Sequence, residues 1–266
     1  MTPSRWALHP GKRVIDVLLA SVSILVTAPL MLLGVLAVFA GDFRNPMYVS
    51  ERIGRGGRPF RLFKIRTMVV DAAASGVDTT ASGDPRITRA GQWLRRTKID
   101  ELPQFFNVLL GDMSLIGPRP NVRRECERYT PLERQMLDVR PGLTDYASIV
   151  FADLAEAVPA GIDPNLAYNQ YVRPLKSRLA LHYVRTASLA SDAALFVLTL
   201  RNALSRERTL AAVLEWLRRT GADADLIERS SRDRPLTPWA PPGADRAVVA
   251  ADLDSLRKRT VESIPP

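Results

Sequence analysis

The sequence predicts an α+β fold that is predominantly helical, with an N-terminal re-entrant membrane helix, amphipathic interfacial helices and a short β-hairpin. Three observations predict it: a charge-free apolar stretch at residues 17–40, two short alternating segments around a Gly-rich turn, and helical spacing of apolar residues further on. The 266 residues can bury a real core. We expect three parts: residues 1–45 with the membrane helix, a cytoplasmic or interfacial body at 46–204, and a C-terminal extension at 205–266.

The composition limits the chemistry. With 37 Lys and Arg against 28 Asp and Glu, the formal charge is +9, which favours anionic partners such as phosphate ligands, nucleic acid or a membrane surface. The single cysteine, Cys126, excludes an intrachain disulfide and a cysteine-rich zinc site. Only His9 and His182 are present, so histidine-based triads and metal cages are poorly supplied. Any catalysis must therefore use carboxylates, lysines or hydroxyls.

Residues 17–40 are long enough to cross a bilayer as a helix. A secretory signal peptide is one alternative, because Lys12 and Arg13 precede the stretch, but the stretch is longer than a usual signal core. Basic residues also follow it, from Arg44 onward, so the positive-inside tendency places both ends on the cytoplasmic side. A straight span cannot satisfy that tendency.

Pro29 offers a solution in the middle of the stretch. It removes the hydrogen bond to the carbonyl of Leu25 and forces a kink, and nearby hydroxyls could satisfy the freed carbonyls; these belong to Ser21, Ser23 and Thr27. We therefore favour a bent helix that enters one leaflet and returns to the same face. A single-pass anchor remains the alternative.

The segment after the apolar stretch alternates between short elements and turns. Residues 46–68 predict two strands around the turn "GRGGRP", and residues 71–87 predict a loop. In "DPRITRAGQWLRRTKI", Ile87, Ala90 and Leu94 share one helical face and Trp93 lies beside them, with basic residues on the rest. Such a helix suits either a membrane surface or a core with a solvated basic face.

"IDELPQFFNVLLGDMSLIGPRP", residues 99–120, contains the main candidate site. The spacing of Leu102, Phe105, Phe106 and Leu109 predicts a helix with Pro103 in its first turn and Gly111 as its C-cap. Asp100 and Glu101 would then lie at its N-terminus. By spacing alone, an ordinary N-cap is the favoured explanation of the pair.

The neighbourhood of the acids adds a second interpretation. Together with several arginines, they would suit a bound phosphate and a divalent metal, with Glu101 and phosphate oxygens as ligands. "GPRP" would be a rigid turn that aims Arg119 into the site, and "RPG" places Arg140 before a similar turn. Guanidinium groups suit multidentate phosphate contacts.

These residues resemble a known family, the monotopic phosphoglycosyltransferases among the bacterial sugar transferases. The resemblance covers roughly residues 11–203. It is carried by "KRVIDVLLASVSILVTAPL", "ERIGRGGRPFRLFKIRTM", "LRRTKIDELPQFFNVLLGDMSLIGPRP", "RPGLTDYASI" and "HYVRTASLASDAALFVLTL". The third block is long and gapless, which makes chance agreement very unlikely.

The resemblance implies transfer of a sugar-1-phosphate from a nucleotide sugar, usually UDP-linked, to a polyprenyl (undecaprenyl) phosphate, giving a polyprenyl-diphospho-sugar and UMP. This would be the initiating step of a bacterial glycoconjugate pathway at the cytoplasmic face of the inner membrane. It also implies Mg²⁺, a re-entrant helix bent at Pro29, a covalent intermediate on Asp100, and Glu101 as metal ligand. The family's basic positions correspond to Lys64, Arg66, Arg95, Arg119 and Arg140.

The sequence departs from the family pattern at four positions. Ala28 precedes the proline where the family often has serine, Asp145 and Tyr146 replace Gly and Trp, and Ala180 stands where many members keep an acid. These changes leave the transfer chemistry in place but leave the sugar and nucleotide pocket undefined.

Residues 191–204 predict an apolar helix against the core or the membrane. Beyond residue 205 we expect one more amphipathic helix, a Pro-rich extended stretch and a short terminal helix, which could form contacts with a partner or in a homo-oligomer.

Two other functions compete with the transferase. A membrane-anchored nucleic-acid-binding protein would carry basic residues and aromatics on one platform, whereas the arginines here lie in turns and beside acids, so we expect no nucleic-acid partner. A metal-dependent phosphohydrolase could use the same acids with water as acceptor, but it needs no helix in a leaflet.

Overall fold

The computed structural model describes residues 2–70, 72, 84–152, 162–202 and 204–252. This part is mostly helical with a few short strands, as the sequence predicted. Its helices are α1 (Pro10–Asp42), α2 (Arg89–Thr97), α3 (Gln104–Leu110), α4 (Arg123–Glu127), α5 (Tyr146–Val150), α6 (Pro164–Ala167), α7 (Arg173–Thr186), α8 (Leu189–Asn202), α9 (Arg206–Arg219) and α10 (Ala224–Ser231). Its strands are β1 (Met47–Ile53), β2 (Pro59–Ile65), β3 (Ser114–Ile116) and β4 (Gly142–Thr144).

Helix α1 is the one described helix that is long and apolar enough to cross a membrane. Its middle is mostly exposed, with Leu25 77% and Val26 70% accessible, so it is not the core helix of a water-soluble fold. Pro29 lies inside the helix. The hydroxyls of Ser21 and Thr27 bond the carbonyls four residues before them instead of the carbonyl of Leu25, a pattern that bends helices.

Both ends of α1 contact the same folded body. Near its start, Lys12 pairs with Asp192 of α8 at 2.6 Å. Near its end, Asp42 pairs with Arg66 at 2.7 Å, and Gly34 packs so closely on Ile65, Leu94 and Ile99 that an added Cβ would lie 3.0–3.2 Å from their side chains. The apolar, exposed middle of the helix therefore lies between two anchored ends.

The predicted hairpin is present. Strands β1 and β2 pair antiparallel from Met47 opposite Ile65 to Ile53 opposite Pro59. Gly56 and Gly57 in the turn adopt φ of 68° and 75°, a conformation that glycine tolerates without strain. Helix α2 follows with Leu94 fully buried and Trp93 41% exposed, while Ile87 bridges to Met68 and lies outside the helix.

A parallel pairing of β3 with β4 joins the two proline turns. Ser114 lies opposite Gly142 and Ile116 opposite Thr144. The backbones approach closely, since a Cβ at Gly142 would lie 2.1 Å from the nitrogen of Gly117. Glycine is therefore required where the "GPRP" and "RPG" turns meet. The sequence analysis did not predict these strands.

The main core lies between α5, α7, α8 and the C-terminal extension. Leu175, Leu179, Tyr183 and Leu195 are almost fully buried there. Helix α8 confirms the predicted apolar helix. One of its faces is buried in the core through Leu195, and another is exposed, with Leu200 61% accessible.

The extension, residues 205–252 as described, packs on the body. It contains two helices, α9 and α10, where one was expected, because Gly221 with φ 75° ends the first. The following stretch forms neither helix nor strand up to residue 249 and docks through Trp239, whose ring lies 3.6 Å from the guanidinium carbon of Arg178 and 4.3 Å from that of Arg229. The predicted loop at residues 71–87 lies largely outside the described residues, and most of the terminal helix does too.

Candidate active site

Asp100 and Glu101 lie in a turn between α2 and α3. Lys98 ends α2 in the left-handed conformation with φ 59°, and residues 99–101 then form a 3₁₀ helix. Pro103 is the N-cap of α3, which begins at Gln104, so the acids precede this helix by one turn instead of forming its first turn. Gly111, with φ 91°, ends α3 as predicted.

The carboxylate of Asp100 is buried without a hydrogen-bond partner for one oxygen. The residue is 6% exposed, and Oδ1 accepts no hydrogen bond from the residues that the structure describes. Burial raises the pKa of Asp100, and the neighbouring Glu101 raises it further, whereas the Lys64 ammonium opposes the rise. A desolvated, unpaired carboxylate oxygen is a stronger base and nucleophile than one in water.

Glu101 holds two basic side chains in place. Its Oε1 pairs with Nζ of Lys64 at 2.7 Å and its Oε2 with Nη2 of Arg119 at 3.0 Å. Burial alone would raise the pKa of Glu101, but the charges of Arg119 and Lys64 outweigh it and hold this pKa well below its usual range. Glu101 is therefore ionised at neutral pH, and its two oxygens are both engaged.

Asn107 on α3 sets the distance between the acids and the hairpin. Its Nδ2 donates to the carbonyl of Arg61 at 2.6 Å, and its Oδ1 accepts from the N–H of Phe63 at 3.0 Å. The fully buried amide thus fixes β2 against α3, which places Lys64 opposite Glu101. Sequence analysis did not identify Asn107, because one amide inside an apolar helix pattern gives no distinctive signal.

The other predicted basic residues divide into two groups. Arg95 contributes to the positive potential at Asp100, and its Nε donates to Thr67 at 2.9 Å. Arg66 is occupied by Asp42, at the end of α1. Arg140 donates from Nε to the carbonyl of Gly111 at 3.0 Å and lines a different groove from Arg119. The structure therefore brings Lys64, Arg95 and Arg119 to the acids, and does not bring Arg66 and Arg140 there.

A cavity of about 490 Å³ borders the two basic partners of Glu101, and neither Asp100 nor Glu101 is among its lining residues. Lys64 and Arg119 line it on the side of Glu101, and Asp145, Lys176 and Ala180 line it further away. This volume suits a small organic ligand, and the basic side chains suit a ligand that carries phosphates.

Lys176 is a cavity residue that the sequence analysis missed. Its ammonium lies 5.5 Å from the ring of Phe151 and 5.4 Å from that of Tyr168, and it forms no ion pair with the described residues. Burial lowers the pKa of Lys176 to about 8, against the opposing charge of Asp145. A sequence signal existed: Lys176 shares a helical face with Val172, Leu179 and Tyr183, which are all buried.

The departures from the family pattern now have positions. Ala180 is one turn from Lys176 on α7, so the cavity lacks an acid there and gains one at Asp145 instead. Asp145 also caps α5 by accepting from the N–H of Ser148 at 2.7 Å. Tyr146 is fully buried and packs near His182 and Tyr183, away from the cavity. The change at Tyr146 therefore belongs to the core.

The carboxylate oxygens of the acid pair are of the donor type that a Mg²⁺ ion would accept. No group of three or more His, Cys, Asp or Glu side chains converges within the described ranges. Oδ1 of Asp100 is the oxygen without a partner, while Glu101 is held by two cations. Mg²⁺ commonly uses one or two carboxylates and takes its other ligands from water and substrate phosphates. The geometry favours Asp100 over Glu101 as its contact.

A family model described as bacterial sugar transferase matches residues 7–206 of this chain. This range includes every site residue named above and ends where α9 begins.

Several curated relatives are similar over the same region. An N-acetylgalactosaminephosphotransferase of Aeromonas hydrophila, named as acting with UDP-N-acetylgalactosamine and undecaprenyl phosphate, is 35% identical over 73% of this chain and 44% of its own length. A UDP-glucose:undecaprenyl-phosphate glucose-1-phosphate transferase of Caulobacter vibrioides is 40% identical over 54% of this chain and 55% of its own. A putative undecaprenyl-phosphate N-acetylgalactosaminyl 1-phosphate transferase of Bacillus subtilis is 46% identical over 41% and 61%. The chain thus spans about half the length of these relatives.

Burial of Asp100 predicts a stability change that depends on pH. Because the pKa of Asp100 is raised, the wild type loses stability as pH rises through that pKa and the buried carboxyl group ionises. Asp100→Asn has no ionisable group at this position, so its stability should not fall for this reason. The melting temperature of Asp100→Asn minus that of the wild type should therefore be larger at pH 8 than at pH 4.5. We expect a difference of a few degrees, since about 1 kcal/mol corresponds to roughly 2–4 °C at this size.

Asp84→Asn is the matched control, because the bond from Arg86 lowers the pKa of Asp84 to about 2. Asp84→Asn should lower the melting temperature by nearly the same amount at pH 4.5 and at pH 8, because both values lie above the range in which Asp84 titrates. An identical Asp100→Asn effect at both pH values would mean that Asp100 is not desolvated.

Proposed function

This chain belongs to the bacterial sugar transferase family, and from that premise we propose that it moves a sugar-1-phosphate from a UDP-sugar to undecaprenyl phosphate. The products are undecaprenyl-diphospho-sugar and UMP, and the reaction begins the assembly of a bacterial glycoconjugate. One observation carries the proposal: a buried carboxylate oxygen of Asp100 has no partner among the described residues, and the adjacent Glu101 pairs with two basic side chains that line the cavity.

In the first step, an ionised oxygen of Asp100 attacks the sugar-bearing phosphorus of the donor. The bond from that phosphorus to the bridging oxygen breaks, and its electron pair leaves with UMP. The sugar-1-phosphate is then joined to Asp100 as an acyl phosphate. Lys64 and Arg119 reduce the repulsion between the carboxylate and the diphosphate, and their pairing with Glu101 keeps them in place before the donor binds.

In the second step, a phosphate oxygen of undecaprenyl phosphate attacks the same phosphorus. The bond to Asp100 breaks and the carboxylate is regenerated, so no water or redox partner is consumed. Because the transfer occurs in two steps, UMP can leave before the lipid phosphate enters the site, so the two anions do not occupy the site together.

Mg²⁺ is part of this proposal. Asp100 would hold it together with oxygens of the donor diphosphate, and Glu101 would act mainly by fixing Lys64 and Arg119. When bound, the ion neutralises charge that develops on the diphosphate.

Helix α1 supports a position at the cytoplasmic face of the inner membrane. Both of its ends are anchored on the catalytic body while its middle is exposed and apolar, which is the arrangement of a helix that enters one leaflet and returns. The acceptor phosphate lies at headgroup level, so a body held at the same level can reach it. The donor is soluble and reaches the cavity from the cytoplasm.

The covalent step gives the decisive test. Enzyme incubated with a UDP-sugar alone should gain the mass of one sugar phosphate on Asp100, detected by mass spectrometry of the peptide, with one UMP released per site. Asp100→Asn should release no UMP. Lys64→Met is the comparison: it should slow UMP release by at least about a hundredfold and still form the adduct. Full activity of Asp100→Asn would exclude this mechanism, and release of free sugar phosphate without lipid would indicate a phosphohydrolase.

Chelation tests the metal. EDTA should stop UMP release. Excess Mg²⁺ should restore it, because an ion that is held partly by oxygens of the donor exchanges with solution each time the donor binds. Turnover that is indifferent to EDTA would remove Mg²⁺ from the mechanism.

Labelling tests the course of α1. Single cysteines at Ser4 and Asn45 in a Cys126→Ser background should both react with a membrane-impermeant reagent from the cytoplasmic side of oriented vesicles. Reaction from opposite sides would mean a helix that spans the bilayer.

A further inference from the structure

A second basic groove, separate from the cavity lined by Lys64 and Arg119, lies beside the Gly-rich turn of the hairpin. Its volume is about 500 Å³, and Arg55, Arg58, Asp112 and Arg140 line it. Only Gly54 is shared with the lining of the first cavity. The groove contains Arg140, one of the two predicted phosphate-binding arginines that the structure does not bring to the acids.

The positive charge of this groove is poorly balanced. Arg13 lies at its edge and donates to the carbonyls of Val108 and Leu109, while Arg140 donates to that of Gly111. These bonds satisfy the C-terminal carbonyls of α3 but neutralise no full charge. Burial lowers the pKa of Arg140, and the charges of Arg13 and Arg55 lower it further, which shows that the guanidinium groups repel one another.

Arg55 and Arg58 are exposed and form no ion pair with the residues that the structure describes. Asp112 is the one acid in the lining, and it also forms no ion pair there. Three lining arginines therefore face one carboxylate, so an added anion would relieve repulsion as well as form hydrogen bonds.

Exposed apolar side chains are adjacent in sequence to residues of the groove. Leu110, which precedes the lining residue Gly111, is 68% exposed, and Val14, which follows Arg13 on α1, is 58% exposed. Val14 lies three residues before the apolar stretch of α1, which begins at residue 17. Apolar side chains next to arginines at the start of a membrane helix are what a boundary between acyl chains and headgroups requires.

We propose that this groove binds the phosphate headgroup of an anionic membrane phospholipid, with the acyl chains lying against Leu110 and Val14. Guanidinium groups from the hairpin turn and from the "RPG" turn would share the phosphate, so the bound lipid fixes the tilt of the catalytic body on the bilayer. The proposal rests on the membrane association proposed above, but not on the transfer chemistry.

The test measures lipid retention. Detergent-solubilised protein is titrated with phosphatidylglycerol or, separately, phosphatidylcholine, and the bound lipid is counted by native mass spectrometry. The wild type should retain phosphatidylglycerol in preference. Arg55→Gln/Arg58→Gln should weaken that retention by roughly tenfold to thirtyfold, the loss expected for two basic residues at an anionic lipid.

Arg208→Gln/Arg234→Gln makes the same charge change at exposed positions in the extension and should leave retention unchanged. Both groove arginines are exposed, so the fold should survive, and an unchanged melting temperature verifies it. The charge reversal Arg58→Glu changes the charge of the groove by the same two units and should lower retention to a similar extent.

Other outcomes overturn the proposal. Equal retention by Arg55→Gln/Arg58→Gln and the wild type, or equal retention of the two lipids, would exclude a headgroup site. Displacement of phosphatidylglycerol by millimolar inorganic phosphate would indicate a site for soluble phosphate, and preferential displacement by undecaprenyl phosphate would indicate an acceptor site. Asp100→Asn should retain phosphatidylglycerol normally, so a failure of the transfer mechanism would be distinguishable from a failure of this site.

Discussion

The double ion pair of Glu101 is the contact on which the site depends. It joins three segments that are distant in sequence: the turn before α3, strand β2 through Lys64, and the turn after β3 through Arg119. Glu101 keeps its negative charge despite partial burial because two basic side chains pair with it. The adjacent Asp100 forms no ion pair with the described residues, and its pKa is raised. Two neighbouring acids thus acquire different properties from their surroundings, one as an organiser and the other as a reactive group.

The fold holds this pair close to the long apolar helix α1. Helix α1 is tied to α8 through Lys12 and to the segment after β2 through Arg66, and its Gly34 lets it pack directly beneath Ile99, the residue before Asp100. The membrane element and the reactive turn therefore share one small cluster of side chains. A shift of the helix would move the acids, so anchorage and chemistry are mechanically coupled.

Local patterns predicted part of this arrangement. The hairpin, α3 and the end of α3 at Gly111 were predictable because alternation, helical spacing and glycine act within a few residues. Strands β3 and β4 were not, because three-residue strands carry no period and pair across a long connection that contains α4. The directions of Arg66 and Arg140 were also not predictable: both follow from tertiary partners, Asp42 and the carbonyl of Gly111, that a motif does not specify. Lys176 could have been identified from its place on an apolar helical face.

The stacking of Trp239 between Arg178 and Arg229 has a consequence for modularity. Helix α7 carries Lys176 into the cavity on one side and is braced on the other by this aromatic wedge and by the bond from Arg178 to the carbonyl of Ala240. The brace lies outside residues 7–206, the range shared with the family. Residues 7–206 of this chain therefore do not contain all the contacts that support the cavity. A chimera joined at residue 206 would lose the contacts of Trp239 and Ala240 with Arg178 on α7.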